Sequence, residues 1–478
     1  MTEDHSSTTG ETELLVVGAG PAGYVAAIRA AQLGVDVTLV ERSGFGGTCL
    51  NHGCIPSKAL IHAAEVAHEA RTAHEIGVHA DVSVEFGEIR RWKDRVVRRL
   101  TRGIELLCER NGVALVEGEA TFEDEGTVAV RDGSDERRIG FERAVVATGS
   151  RPIELPGFAY GDGPILDARR ALELEELPER LLVVGAGYIG MELSTAFAKL
   201  GARVTVVEAL DGILPGYDDD LVEPVYRTAA DLGIDFAFDH VAADWTETAD
   251  GVATVELEPT GDRPDAGDDR LESVTADAVL VAVGREPVTD SLELENAGVD
   301  VDSNGFVETN DRLETSNERI FAVGDAAGEP LLAHAASEEG KRVAESVAAE
   351  SSTGRAGVPA VVFTDPEIAT VGLTADAAEA EGYDPVVGRF PLRANGRALT
   401  ANASEGFVSL VADEPSGRVL GGQVVGREAS ELIATVSVAV ANDLTVDDIV
   451  GTIQAHPTLA EAVEEAALDA TGDAIHTY

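Results

Sequence analysis

A chain of 478 residues has room for about three domains of ordinary size, with a large core and clefts between them. Its 87 acidic residues against 36 basic ones give a formal net charge of −51, which excludes polyanionic partners: nucleic acid and anionic membrane surfaces are repelled. Three cysteines in so long a chain exclude a secreted disulfide framework.

The acids run along the whole chain (Asp218-Asp219-Asp220, Asp268-Asp269, Glu464-Glu465), and lysine occurs only at positions 58, 93, 199 and 341. Such a surface reads as an adaptation to high salt, because only strong screening makes its self-repulsion tolerable. The opening MTEDHSSTTGETE is polar and acidic, without the basic start and apolar core of a signal peptide. The longest apolar run, Leu432 to Ala441, is about half of what crosses a bilayer. A soluble, cytoplasmic protein is expected.

After an acidic leader of about 12 residues, ETELLVVGAGPAGYVAAIRAAQLGVDVTLVER reads as strand, glycine turn, amphipathic helix and second strand ending at Glu41. ERLLVVGAGYIGMELSTAFAKLGARVTVVEA repeats the pattern, with Gly185, Gly187, Gly190 and Glu208 standing to it as Gly18, Gly20, Gly23 and Glu41 stand to the first. In a dinucleotide-binding turn the first glycine permits the bend and the second lets backbone approach a pyrophosphate. The third lets helix pack on strand, and the acid accepts from a ribose hydroxyl. Glu208 would repel a 2′-phosphate, so the second unit should prefer NAD to NADP.

The rest divides around these units into an α/β architecture of two Rossmann-like domains and a C-terminal α+β domain. Residues 1–150 form the first part of one nucleotide unit, closing on AVVATGSRP; 151–275 form the other, with an acidic stretch from Gly261 to Arg270 that reads as a solvated hairpin insertion. Residues 276–349 return to the first unit through a strand at Ala278 to Val283, GREPVT and RIFAVGDAAG, where Asp325 follows an apolar strand. From 350 to 478, strands at Ala360 to Thr364, Gly406 to Val411 and Val419 to Val425 and terminal helices mark a third domain.

GGTCLNHGCIPSKAL places Cys49 and Cys54 five residues apart, immediately before and inside the start of a helix marked by Pro56. Five helical residues rise about 7.5 Å, beyond comfortable disulfide reach, so the turn must be distorted, which Gly53 permits. A bridge there would be exposed to exchange, and a thiolate at Cys54 would gain from the helix N-terminus. Zinc is the rival reading, but no second close Cys or His pair has ligand spacing, and His52 alone is a poor third ligand. Cys108, in IELLCERNG, reads as a core residue.

Taken together, GAGPAG with Glu41, GGTCLNHGCIPSK, GAGYIGMEL, IFAVGDA and AHPTLAEAVEEA resemble, in order, the FAD-dependent pyridine nucleotide-disulfide oxidoreductases, or flavoprotein disulfide reductases. The likeness covers nearly the whole chain. CLNHGCIPSKAL and HPTLAE are closer to the dihydrolipoamide dehydrogenases of that family than to its glutathione reductases. Mercuric and thioredoxin reductases of this fold carry a further C-terminal cysteine pair, and this chain has no cysteine after Cys108. Two departures are His52, where valine is commoner, and Met191, where a smaller aliphatic is usual.

The resemblance implies one FAD per subunit, held by Gly18, Gly20, Gly23, Glu41, Arg42, Gly47, Thr48, Lys58, Gly118, Thr148, Gly149, Asp325, Leu332, Ala333 and His334. His334 looks like backbone near the flavin rather than a base. NAD falls to Gly185, Gly187, Tyr188, Ile189, Gly190, Glu192, Glu208, Val241 and Gly284, with Tyr188 at the nicotinamide pocket. Cys49 and Cys54 are implied as the redox disulfide, His456 as a base oriented by Glu461, and Lys58 with Glu192 as an ion pair beside the flavin. The implied reaction takes two electrons from dihydrolipoamide, free or on lipoyl domains, to NAD. A homodimer with shared sites is implied, docked on an acyltransferase core of a 2-oxoacid dehydrogenase complex or serving glycine cleavage. The alternatives are a reductase of another small disulfide and a subunit whose main role is assembly.

Overall fold

The computed structural model describes residues 9–476 apart from 162, 249, 261–270 and 350–356. The stretch Gly261 to Arg270, expected as a hairpin insertion, lies outside the described residues.

In the first unit, β1 (Thr9–Val17), α1 (Pro21–Gln32) and β2 (Val37–Glu41) form the βαβ turn expected from the glycine pattern. Two consecutive helices follow, the short α2 (Gly47–Asn51) and α3 (Cys54–Thr72), and then the long α4 (Phe86–Arg110). Strands β3 (Ala114–Glu117), β4 (Glu119–Asp124), β5 (Thr127–Asp132) and β6 (Asp135–Val146) complete the chain's first pass. The sheet runs β3-β2-β1-β6-β5-β4, parallel from β3 to β6 and antiparallel beyond. Its central strands are apolar on both faces, as a sheet covered by helices on one side and a second layer on the other requires; Leu14, Leu15 and Val16 are fully buried.

The second unit opens after β7 (Ser150–Pro152), with β8 (Ile165–Leu166), α5 (Ala168–Glu173), β9 (Arg180–Val184), α6 (Tyr188–Leu200), β10 (Arg203–Val207), α7 (Asp219–Asp231) and β11 (Asp235–Ala237). An antiparallel layer of β12 (His240–Glu247), β13 (Ala253–Pro259) and β14 (Ser273–Ala276) lies beside it. The strand expected at 278, and assigned with 276–349 to the first unit, is β15 (Ala278–Val281). It instead joins the second unit's parallel sheet, ordered β11-β10-β9-β15-β8, so that unit runs past 275. Its burial explains the placement: Ala278, Val279, Leu280 and Val281 are all buried, which an interior parallel strand provides.

The chain returns through β16 (Arg285–Pro287), paired antiparallel with β7, and then β17 (Ile320–Ala322), which lies parallel to β6. Helix α8 (Ala333–Val347) packs on α1. The third unit is an antiparallel sheet ordered β18-β19-β22-β21-β20, from β18 (Ala360–Val362), β19 (Glu367–Gly372), β20 (Pro385–Pro391), β21 (Phe407–Asp413) and β22 (Val419–Gly426). The helices α9 (Ala375–Ala380), α10 (Gly396–Thr400), α11 (Ala429–Ala441), α12 (Val446–Val450) and α13 (Glu461–Thr471) belong to it. The apolar run at Leu432 to Ala441 lies in helix α11, which buries Leu432, Ile433, Val436, Ala439 and Val440 and leaves Val438 exposed, and among the described residues no helix is long and apolar enough to cross a membrane.

One core cluster links the units around the cysteines. Leu60, Ile61 and Ala64 of α3 pack with Met191, Leu193 and Phe197 of α6, all buried. Met191, one of the two departures, is a fully buried filler of that seam.

Candidate functional site

Both glycine turns are built alike. A Cβ at Gly18 would stand 2.3 Å from the Ala147 carbonyl oxygen, and one at Gly23 1.8 Å from that of Gly18. Gly185 and Gly190 meet the same obstruction from Ala282 and Gly185. The second glycines differ: beside Gly20 and Gly187 a Cβ would meet nothing within 4 Å, so each turn has an open face. Those open faces lie at the N-termini of α1 and α6, which have no side-chain cap. Uncapped amides with the helix dipole behind them suit a pyrophosphate.

The acids close the turns. Glu41 accepts from the amides of Ala19 and Ser43, both at 2.7 Å. Glu208 accepts from Ala186 at 2.7 Å and Leu210 at 3.0 Å. A carboxylate has about four acceptor sites, so each retains capacity for a ribose hydroxyl. Glu41 and Arg42 line a pocket together with Gly18, Gly118 and Thr148. The residues present therefore fit FAD in the first unit and a nicotinamide dinucleotide in the second. Gly47 seats against the first turn, where a Cβ would be 2.5 Å from the Gly20 Cα. Thr48 follows it in α2, and Gly149 takes φ +71° just after Thr148, whose hydroxyl donates to the Val288 carbonyl at 2.6 Å. In the second unit Ile189 lies in the first turn of α6, Tyr188 is 42% exposed at its start, Val241 is exposed on β12, and Gly284 takes φ +132°.

The thiols sit on two helices rather than one. Cys49 was expected immediately before the helix; it lies inside α2, and Cys54 opens α3. The break between them is Gly53, at φ −127° and ψ −111°, a conformation that side chains disfavour, and this brings the two sulfurs within hydrogen-bonding reach. Both are free thiols here. The Cys49 thiol donates to Cys54, which, with the Lys58 ammonium one turn along α3, outweighs burial and lowers the Cys54 pKa to about 7. Cys49 is raised, chiefly by the same hydrogen bond and by burial. The pair is thus polarised toward a thiolate at Cys54. Asn51, between them, donates to the carbonyls of Phe45 and Gly47 and accepts from Thr101 Oγ1 at 2.8 Å, tying the loop to α4.

Lys58 and Glu192 meet across the seam of the two units at 2.6 Å. The other oxygen of Glu192 accepts from the Phe363 amide at 2.9 Å, and the Lys58 ammonium stands 4.6 Å from the centre of the Phe363 ring, so the third unit completes the contact. Asp325 follows β17 on a single 3₁₀ turn and accepts from Ser150 Oγ; Arg285 donates to that hydroxyl at 2.8 Å and to the Ser150 carbonyl at 2.7 Å. Ser150, Arg285 and Phe363 are site neighbours that motif reading missed. The signal available was adjacency: Ser150 follows Thr148-Gly149, and Arg285 follows Gly284. Leu332 immediately precedes α8, and Ala333 and His334 lie in its first turn. The His334 ring nitrogen Nε2 bonds the Pro359 carbonyl at 2.6 Å.

His456 and Glu461 form a pair in the third unit, with Nδ1 to Oε1 at 2.8 Å. The second Glu461 oxygen accepts from the Thr458 amide at 2.8 Å. Burial pulls the Glu461 carboxyl up, but the Thr458 amide and His456 outweigh it and hold it below the usual range. The His456 side chain is 80% exposed in the single chain, so whatever it serves approaches from outside. Cys108, by contrast, is fully buried, and burial pushes its thiol up to about 11.

Residues 12–340 match the family described as pyridine nucleotide-disulphide oxidoreductase, and residues 358–467 match the dimerisation domain of the same family. The chain belongs to the pyridine nucleotide-disulphide oxidoreductases, as an FAD- and NAD-dependent oxidoreductase with a domain that forms a homodimer. Among curated relatives it is 55% identical to "Dihydrolipoyl dehydrogenase 2" of Haloarcula marismortui over 98% of both chains. It is also 55% identical to "Dihydrolipoyl dehydrogenase" of Haloferax volcanii, again over 98% of each. Among solved structures it resembles LpdA from Mycobacterium tuberculosis, with TM-score 0.88 and 30% identity over 95% of this chain and 99% of that one. The haloarchaeal relatives accord with the acidic composition.

Proposed function

We propose that this chain works as a dihydrolipoyl dehydrogenase, oxidising dihydrolipoamide, free or carried on a lipoyl domain, with NAD as acceptor. The observation that carries the chemistry is the Cys49–Cys54 pair, with Cys54 at the N-terminus of α3 and Lys58 one turn on. The substrate follows from the dihydrolipoyl dehydrogenases to which the chain is similar over its full length.

In the oxidised enzyme a substrate thiolate attacks the Cys49 sulfur of a Cys49–Cys54 bridge, and Cys54 leaves as thiolate. The second substrate sulfur, once deprotonated, displaces Cys49, so lipoamide closes its ring and the enzyme holds the dithiol. Two protons must leave the substrate. His456 takes one from the attacking thiol at its free ring nitrogen, while Glu461 fixes the ring and stabilises the imidazolium. Its exposure in one chain fits a base that serves the thiols of the second chain of the dimer. The chemistry that FAD supplies when bound is the two-electron relay from the dithiol to NAD. Glu41, Thr148 and Asp325 would hold FAD, and Lys58 with Glu192 fixes a charge pair between the two nucleotide units. Glu208 would receive the NAD ribose.

The test is turnover by the purified FAD-loaded protein in concentrated KCl. NADH should form from dihydrolipoamide and NAD, and glutathione disulfide should not be reduced by NADPH. The reverse preference overturns the reading.

A further inference from the structure

Helix α4 reverses the charge of the chain. Its 25 residues carry eight of the 36 basic residues against four acids, in a protein of net charge −51. Elsewhere arginines find carboxylates readily: Arg151 holds Glu286 and Asp290, and Arg180 holds Asp277. On α4, Arg90 reaches Glu175, Arg91 reaches Glu88, and the buried Lys93 donates to the Leu172 carbonyl. Arg95, Arg98, Arg99 and Arg102 do not follow. All four are exposed, and among the described residues none makes an ion pair or a side-chain hydrogen bond.

Their spacing (i, i+3, i+4, i+7) places them on one stripe of the helix, and the exposed Leu106 extends it. Lys93 and Cys108 lie on the buried side, so the stripe faces outward. Thr101, one residue before Arg102, holds Asn51 of the thiol loop. The row of unpaired guanidiniums therefore lies on the outward side of a helix whose other side is hydrogen-bonded to the thiol segment.

We infer that this stripe is the docking face for an acidic protein domain that carries the substrate dithiol on an arm. The inference rests on the dihydrolipoamide reading above and names how its carrier is recognised. Free dihydrolipoamide ends in a neutral amide and has no use for four cations. From Arg95 to Arg102 the helix rises about 10 Å, the dimension of a protein contact rather than of one small anion. The rest of the surface is predominantly acidic, so contact at α4 pairs opposite charges where contact elsewhere would set like charges together. Molar salt shortens the Debye length to about 3 Å and erases long-range attraction, but forked guanidinium–carboxylate pairs act at contact, where arginine outperforms the more strongly hydrated lysine.

The experiment uses the intact FAD-loaded protein and two substrates: free dihydrolipoamide, and a purified, reduced lipoyl domain of net negative charge. In the variant Arg98→Glu with Arg99→Glu, kcat/KM for the domain should fall about tenfold or more, while that for free dihydrolipoamide stays within about twofold. A lipoyl domain whose surface glutamates are changed to glutamine should lose this sensitivity, and Arg137→Glu, exposed on β6, should leave both substrates alone. An unchanged kcat/KM for the acidic domain overturns the docking face. So does a parallel loss with both substrates, or dissociation of the variant dimer in sedimentation, which would assign the stripe to the second copy. If the unmodified protein fails to oxidise free dihydrolipoamide, the functional reading falls and takes this one with it; normal turnover with an indifferent double variant removes docking alone.

Discussion

Lys58 Nζ lies 2.6 Å from Glu192 Oε2, an ion pair between the helix that begins with Cys54 and the helix that begins at the second glycine turn. The two partners are unequal: the Glu192 side chain is 4% exposed and that of Lys58 31%. Lys58→Met strands a buried carboxylate, which in a fully buried pair costs about 3–5 kcal/mol; with the ammonium partly solvated, about 1–3 kcal/mol is expected. Glu192→Gln keeps an acceptor for the Phe363 amide and leaves Lys58 free to reach water, so it should cost less. Thermal unfolding of the FAD-loaded proteins should rank unmodified above Glu192→Gln above Lys58→Met. The opposite order would mean that Glu192 is not the desolvated partner.

The polarisation of the thiols has a pH signature. With the Cys54 pKa lowered to about 7 by the Cys49 thiol and Lys58, its thiolate dominates above that pH and is lost below it. Alkylation of Cys54 in the reduced enzyme, followed by mass spectrometry, should rise with a midpoint near pH 7. Cys49→Ala removes the largest contribution and should move the midpoint up, toward the ordinary thiol value of about 8.5. Lys58→Met should move it in the same direction. A midpoint indifferent to Cys49→Ala would show that the two sulfurs do not interact.

Nucleotide choice turns on Glu208, whose carboxylate closes the second turn through the Ala186 amide. NAD should exceed NADP in kcat/KM, because a 2′-phosphate would be brought against a fixed negative charge. Glu208→Gln preserves an acceptor for Ala186 and removes that charge, so the preference should drop by about tenfold, or roughly 1.4 kcal/mol. An unaltered ratio would place the ribose elsewhere.

These expectations differ in how much of them is legible in the chain. The glycine turns, Glu41 and Glu208 are local: within some 20 residues the strand, the bend and the acid are spelled out, and the backbone collisions at Gly18 and Gly23 explain why nothing else fits there. The distortion at Gly53 is likewise forced by the spacing of Cys49 and Cys54. What resists reading is partnership across distance. Ser150 and Asp325 are 175 residues apart, Lys58 and Glu192 134, and Glu192 and Phe363 171. No periodicity announces them, and only the likeness to a family pointed to Lys58 and Glu192. The strand at Ala278 was misassigned for a related reason: four apolar residues suit either parallel sheet, and only packing decides between them. The unpaired stripe of α4 needed the structure too, since a run of arginines in sequence does not say which of them find carboxylates.

The net charge of −51 sets a dependence on salt. In molar KCl the Debye length is about 3 Å and most self-repulsion is screened; near 10 mM it reaches about 30 Å and the acids act on one another across the surface. The unfolding temperature should fall steadily as KCl is diluted, with activity lost in parallel. Full and lasting activity at about 10 mM salt would contradict an adaptation to brine.

The sharing of the site between two chains can be decided with two inactive variants. Cys54→Ser removes the thiolate from the first unit, and His456→Gln removes the base from the third while leaving a neutral side chain beside Glu461. If the His456–Glu461 pair of one chain serves the thiols of the other, each mixed dimer contains one site with both defects and one with neither. Variants unfolded and refolded together pair at random, so about half the dimers are mixed and half of the sites in those work, and recovered activity should approach roughly a quarter of the unmodified enzyme. Each variant refolded alone should stay inactive, which excludes partial activity as the source. If base and thiols belonged to one chain, every site in every dimer would carry a defect and mixing would restore nothing. Absence of recovery, with mixed dimers demonstrated by mass, would assign His456 to its own chain's thiols and would leave its 80% exposure in the single chain without a functional reason.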